Sequence, residues 1–231
     1  MASIDTYRSG RIHAQSPHGP TRASWVAVAT AAVAVVAAGV MWAAPAAAQQ
    51  ADVAVHRASQ SGSGSRNTQE ALIGTAQGSG HSVVDIGNLA QVQAGHGNRQ
   101  SVAIGNSVGN GRAKVDVGSL QQVQTGALNT QRVAIGNADG NARTVVSIGA
   151  LRQLQAGVAN EQAVAIGNAL GTGTTHVQVG ALTQTQAGTM NTQSVEIGNN
   201  AGSGRVNVSV GSIVQMQGGF GETARIRIGN Q

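Results

Sequence analysis

Residues Gln91 to Asn106 read QVQAGHGNRQSVAIGN, and close copies of this stretch begin at Gln122, Gln153 and Gln184, each 31 residues after the one before. Written in rows of 31 from Val84, the chain keeps its register without an insertion. Val84, Val115, Val146, Val177 and Val208 open the rows. Gly87, Gly118, Gly149, Gly180 and Gly211 form a column three places later, and Leu89, Leu120, Leu151, Leu182 and Ile213 follow. A weaker copy begins at Val53 and keeps Gln60, Asn67, Gln69, Ile73 and Gly74. Six repeats therefore start near residues 53, 84, 115, 146, 177 and 208. A fixed period of this length marks an array in which each unit buries its face on its neighbours.

Polar amides dominate the invariant columns. One glutamine column is Gln91, Gln122, Gln153, Gln184 and Gln215, and a second is Gln93, Gln124, Gln155, Gln186 and Gln217. A third runs Gln100, Gln131, Gln162 and Gln193. Asn98, Asn129, Asn160 and Asn191 make an asparagine column that Glu222 breaks. The apolar counterpart is Ile104, Ile135, Ile166, Ile197 and Ile228, each followed by Gly-Asn.

Within a row, Leu120, Gln122, Gln124 and then Asn129, Gln131, Val133, Ile135 alternate with small or polar residues. A period of two means strand, and no helical period occurs in the repeats. Gly126 supplies the positive φ of a reversal between the two runs. A third run, Arg112 to Val117, carries its apolar residues in the opposite parity to Leu120, so Gly118 and Ser119 must form a corner or bulge. Parallel, in-register stacking would set identical residues about 4.8 Å apart, and a buried amide then donates to one neighbour and accepts from the other. The expected fold is all-β: a β-solenoid of about six 31-residue coils, with two or three strands in each. The degraded first coil is expected to be less ordered than the rest, since Gly62, Gly64 and three serines interrupt its strand where later rows hold Gln and Leu.

Composition excludes several alternatives. The chain has 231 residues, 33 glycines and no cysteine, so no disulfide or thiolate metal site exists. After Trp42 its only aromatic residue is Phe220. That rules out the aromatic girdles of a membrane barrel. The charge of +5 is scattered and lacks the basic stripe and stacking rings of a nucleic-acid binder. His56, His81, His96 and His176 occupy four different places in the repeat, so stacking does not gather them around a metal. Asp85 and Asp116 align but are followed by Ser147, Gln178 and Ser209, unlike a calcium-binding repeat. No recurring Ser, His and Asp nominate a nucleophile. The expectation is a protein that is not an enzyme, with no cofactor, no small-molecule substrate and no nucleic-acid partner.

The amino terminus reads differently. Arg8, Arg11 and Arg22 precede an apolar run from Trp25 to Ala44, and small residues stand at Ala46 and Ala48. This fits a signal peptide over residues 1–48, with the repeat domain over 49–231. A permanent anchor is the alternative, since about 20 apolar residues span a bilayer.

At Gln124-Thr125-Gly126-Ala127-Leu128-Asn129 the motif is Q-x-G-x-x-N, and it recurs at Gln93 to Asn98, Gln155 to Asn160 and Gln186 to Asn191. This resembles the curlin repeat of bacterial curli fibres, over roughly Gln60 to Asn230. Curlin repeats are shorter, usually begin their first strand with Ser where Gly118 or Gly149 stands here, and carry Ala at the positions of Gln100 and Gln131. Those glutamines are closer to the other bacterial functional amyloid, of the Fap type. The additional residues, Ser107 to Lys114 and their equivalents, would form an extra arc or strand. The resemblance implies a secreted fibre subunit for adhesion and biofilm at the cell surface, partnered by itself and by a dedicated export pore and a nucleator subunit. A passive solenoid adhesin or stalk is the alternative. Mass spectrometry of extracellular material should find a chain beginning at Gln49; an intact Met1 terminus held in the membrane would favour the anchor.

Overall fold

The computed structural model describes residues 50–55, 57–77 and 80–231. The segment read as a signal peptide lies outside the described residues, as does His56. Every strand pairing between coils is parallel and joins residues 31 apart. The chain is a β-solenoid of about six coils.

Two six-stranded sheets form its long walls. The first stacks Ser59–Ser65, Ala90–His96, Gln122–Ala127, Arg152–Val158, Thr183–Thr189 and Val214–Gln217. The second stacks Thr68–Ile73, Arg99–Ile104, Thr130–Ile135, Glu161–Ile166, Thr192–Ile197 and Thr223–Ile228. Between these long runs each coil makes two short ones. Ala76–Gln77, Ser107–Gly109, Ala138–Gly140 and Ala169–Gly171 form a third sheet. Gln50–Asp52, His81–Val83 and Arg112–Lys114 pair in the fourth wall, which Arg143 bridges to Thr174–Gln178 and Arg205–Ser209.

A coil therefore carries up to four runs rather than two or three. The extra arc of Ser107 to Lys114 is split by a corner at Gly109, Gly140 and Gly171, whose φ values are 71°, 79° and 91°. Runs of three residues are too short to display a period, which is why alternation alone reads them as one segment. The corner at Gly118-Ser119 is present: both residues are left-handed, with φ of 48° and 76°, and the change of parity follows from that reversal. In the first coil the strand Ser59–Ser65 is continuous and pairs with Ala90–His96 along its whole length, so Gly62 and Gly64 do not interrupt it. The backbone ladder from the next coil holds it despite its glycines.

The interior has two compartments. One is apolar, with Val115, Val117, Leu120, Val133 and Ile135 each at most 2% exposed. The other, between the two long sheets near their joining turn, is filled by Gln122, Gln124, Asn129 and Gln131, all fully buried. Alternation places both sets inward, because residues two apart share a face.

Gly126 shows how tightly the coils approach. It has φ of 108°, and a β-carbon added there would run into the carbonyl oxygen of Gly157 in the next coil. Gly149 also has positive φ, 55°, but a β-carbon there would meet nothing within 4 Å. Gly149→Ala should cost about 1–2 kcal/mol, the left-handed penalty alone. Gly126→Ala adds overpacking against backbone and should cost about 2–5 kcal/mol in urea unfolding. Equal costs would show that coil spacing does not set this column.

Candidate assembly site

The glutamine columns are continuous hydrogen-bonded ladders. Gln91 Nε2 donates to Gln122 Oε1 at 2.9 Å, Gln122 to Gln153 at 2.7 Å, Gln153 to Gln184 at 2.8 Å and Gln184 to Gln215 at 3.0 Å. Gln93, Gln124, Gln155, Gln186 and Gln217 repeat the pattern in the second column. Gln100, Gln131, Gln162 and Gln193 do so from the opposite wall, preceded by Gln69. Every donor points to the following coil, so all three ladders share one polarity.

The third column also ties the walls together. Gln131 Nε2 uses its second proton on Val123 O across the interior at 3.2 Å, and Gln162 does the same to Leu154 O. A buried side chain held from two sides fixes register and wall separation at once.

The asparagine column works at the turn. Asn129 Nδ2 donates to Thr125 O in its own coil and to Gly157 O in the next, both at 3.0 Å. Its Oδ1 accepts from the backbone N–H of Asn160, and its own N–H donates to Asn98 Oδ1. Asn98 and Asn191 make the same kind of contacts. The turn passes through Leu128 at φ 57°, and the asparagine bonds stabilise that left-handed residue.

The isoleucine spine is in register. Ile104 pairs with Ile135, Ile135 with Ile166 and Ile166 with Ile197, and all four are 0% exposed. Ile228 continues the column at partial exposure in the last described coil.

One ladder escaped the sequence reading. Asn106, Asn137, Asn168 and Asn199 pass a bond from Nδ2 to the next Oδ1 at 2.8–2.9 Å, and the next Oδ1 also accepts the backbone N–H. In the sequence these residues stood only as the Asn that follows each Ile-Gly of the spine, and their recurrence in every row from Val84 was the available signal. These amides floor a groove of about 530 Å³ walled by Val108 and Leu170. Since the amides are bonded to one another, the floor has little left to offer a ligand.

The ladders weaken in the end coils. Gly62 stands in the second column, and Gln93 Oε1 is buried without a partner. Ala224 pairs opposite Gln193, ending the third ladder, and Glu222 follows Asn191 while keeping its backbone N–H on Asn191 Oδ1. Among the described residues no three His, Asp or Glu side chains gather as metal ligands, and no helix is long and apolar enough to cross a membrane. Comparison with protein-family models, with curated proteins and with solved structures returns no match.

Two substitutions of opposite sign test the ladders. Gln131→Leu leaves one Gln100 Nε2 proton and Gln162 Oε1 without a partner, and at ~1–3 kcal/mol for each orphaned group it should cost about 2–6 kcal/mol. Gly62→Gln has open space, since its β-carbon would lie 3.9 Å from Gln69 Oε1, and it supplies the donor that Gln93 Oε1 lacks. It should stabilise by about 1–2 kcal/mol, from a new bond and a less flexible backbone. Urea midpoints measure both; a stabilising Gln131→Leu or a destabilising Gly62→Gln would contradict this account.

Proposed function

We propose that this chain is the structural subunit of a secreted, curli-like amyloid fibre serving cell adhesion and the biofilm matrix. The observation that carries the reading is the common polarity of the three glutamine ladders, which gives the two ends of the solenoid unlike and complementary chemistry. Among the described residues, Gln60 Oε1 stands at the acceptor end and Gln215 Nε2 at the donor end. A donor end meeting an acceptor end is a heterologous contact, and such a contact extends into an open filament when the rotation does not close. An unpaired edge strand templates the same pairing with backbone groups.

Such a joint would be weaker than the junctions inside a chain. Gln215 would meet Gln60, but the other two glutamine ladders are interrupted by Gly62 and Ala224. Growth would then depend on backbone pairing and the isoleucine spine, with a nucleator subunit to begin it and an outer-membrane pore to deliver the chain unfolded.

The same interruptions favour a second reading. Soluble solenoids end in atypical coils that discourage stacking, and both end coils here depart from the consensus. A non-polymerising adhesin or stalk at the cell surface would use them as caps.

Seeded growth separates the two. Preformed filaments should shorten the lag of fresh chain beginning at Gln49, read by thioflavin fluorescence and electron microscopy. Ile135→Lys buries an unpaired charge costing several kcal/mol and should abolish assembly, whereas the exposed Arg132→Ala should be tolerated. A chain that stays monomeric at high concentration and ignores seeds would make the adhesin the better reading.

A further inference from the structure

The two long walls present very different faces to solvent. Along the second, outward positions carry Arg99, Arg132, Glu161, Glu196, Arg225 and Arg227, and Arg227 pairs with Glu196 at 2.9 Å. Along the first, among the described residues, the only outward Lys, Arg, Asp or Glu on its strands is Arg152.

That first wall also has relief. Val92, Val123, Leu154, Thr185 and Met216 align in one outward column that starts from the small Ser61 of the first coil, with Val92 37%, Leu154 40% and Met216 76% exposed. Two residues further along the strands, the next outward column holds only Ser63, Ala94, Thr125, Ala156 and Ala187 where pairing is continuous. A ridge of branched and long side chains thus runs beside a furrow of small ones, about 6.6–6.8 Å away.

We propose that this wall is the lateral mating surface between two copies of the chain, the ridge of each lying in the furrow of the other about a two-fold axis. Ridge and furrow on one surface make it self-complementary, as an isologous contact requires. Size sets when it operates. Six strands about 4.8 Å apart and about 23 Å long cover roughly 650 Å², below the roughly 800 Å² per partner of a stable complex. Single copies therefore do not pair durably. In a filament the matched area grows with each added copy, so pairing follows axial growth. This inference rests on the fibre reading.

The test compares filaments of the exported chain with those of Leu154→Lys, Leu154→Thr and, as a control on the other wall, Arg132→Glu. Mass per length by scanning transmission microscopy should correspond to two strands of subunits for the wild type and Arg132→Glu, and to one for Leu154→Lys. Leu154→Thr, which introduces the residue already present at position 185, keeps the fold and should give a mixed population. Seeded elongation rates should remain within about twofold for all four. Wild-type filaments that are single, or Leu154→Lys filaments that remain paired, would overturn the mating surface while leaving the fibre reading intact. A wild-type chain that forms no filaments would overturn both.

Discussion

A primary amide buried in a protein interior must find partners for its protons and its oxygen, and that constraint fixes the geometry of this molecule. An unsatisfied buried polar group costs about 1–3 kcal/mol. With glutamine at inward positions 91, 93 and 100, the side-chain partner that recurs from coil to coil is the same residue one coil away, joined in the third column by a carbonyl of the facing wall. Stacking out of register by one residue would send each amide outward and each Arg or Thr inward. The ladders therefore exclude alternatives that an interior of Val and Ile alone would tolerate.

The apolar spine and the amide ladders divide the work. Ile104, Ile135, Ile166 and Ile197 are fully buried and supply non-directional stabilisation, while the amides beside them supply direction and register. Glycine sets the spacing at the turn, where Gly126 leaves no room for a side chain below Gly157. The elements that bind coil to coil inside the chain are those proposed to bind copy to copy, with the first glutamine ladder, the isoleucine spine and backbone pairing left to act where Gly62 and Ala224 interrupt the other two ladders.

Much of this was legible in the sequence because an exact period makes alignment self-evident. The parity of Gln122, Gln124 and Leu120 identified the inward face, and the parity change at Gly118-Ser119 identified a corner that the backbone confirms with two left-handed residues. The short walls were not legible. Ala138–Gly140 is three residues long, and nothing in Ala-Asp-Gly distinguishes a strand from a turn without its neighbours. The Asn106 to Asn199 ladder was missed for a related reason: an asparagine after glycine is also a common turn residue, and only the fold reveals that its amide lies above its copy. The strand at Ser59–Ser65 was read as interrupted because local propensity was weighed without the ladder from Ala90–His96 that overrides it.

In the fibre proposed above, coils continue in register from one chain into the next. Fibre diffraction from oriented filaments tests this most directly. A meridional reflection near 4.8 Å, with an axial repeat of about 29 Å from six coils per subunit, is the predicted result. An axial rise unrelated to a multiple of the coil spacing, or no meridional reflection near 4.8 Å, would contradict it.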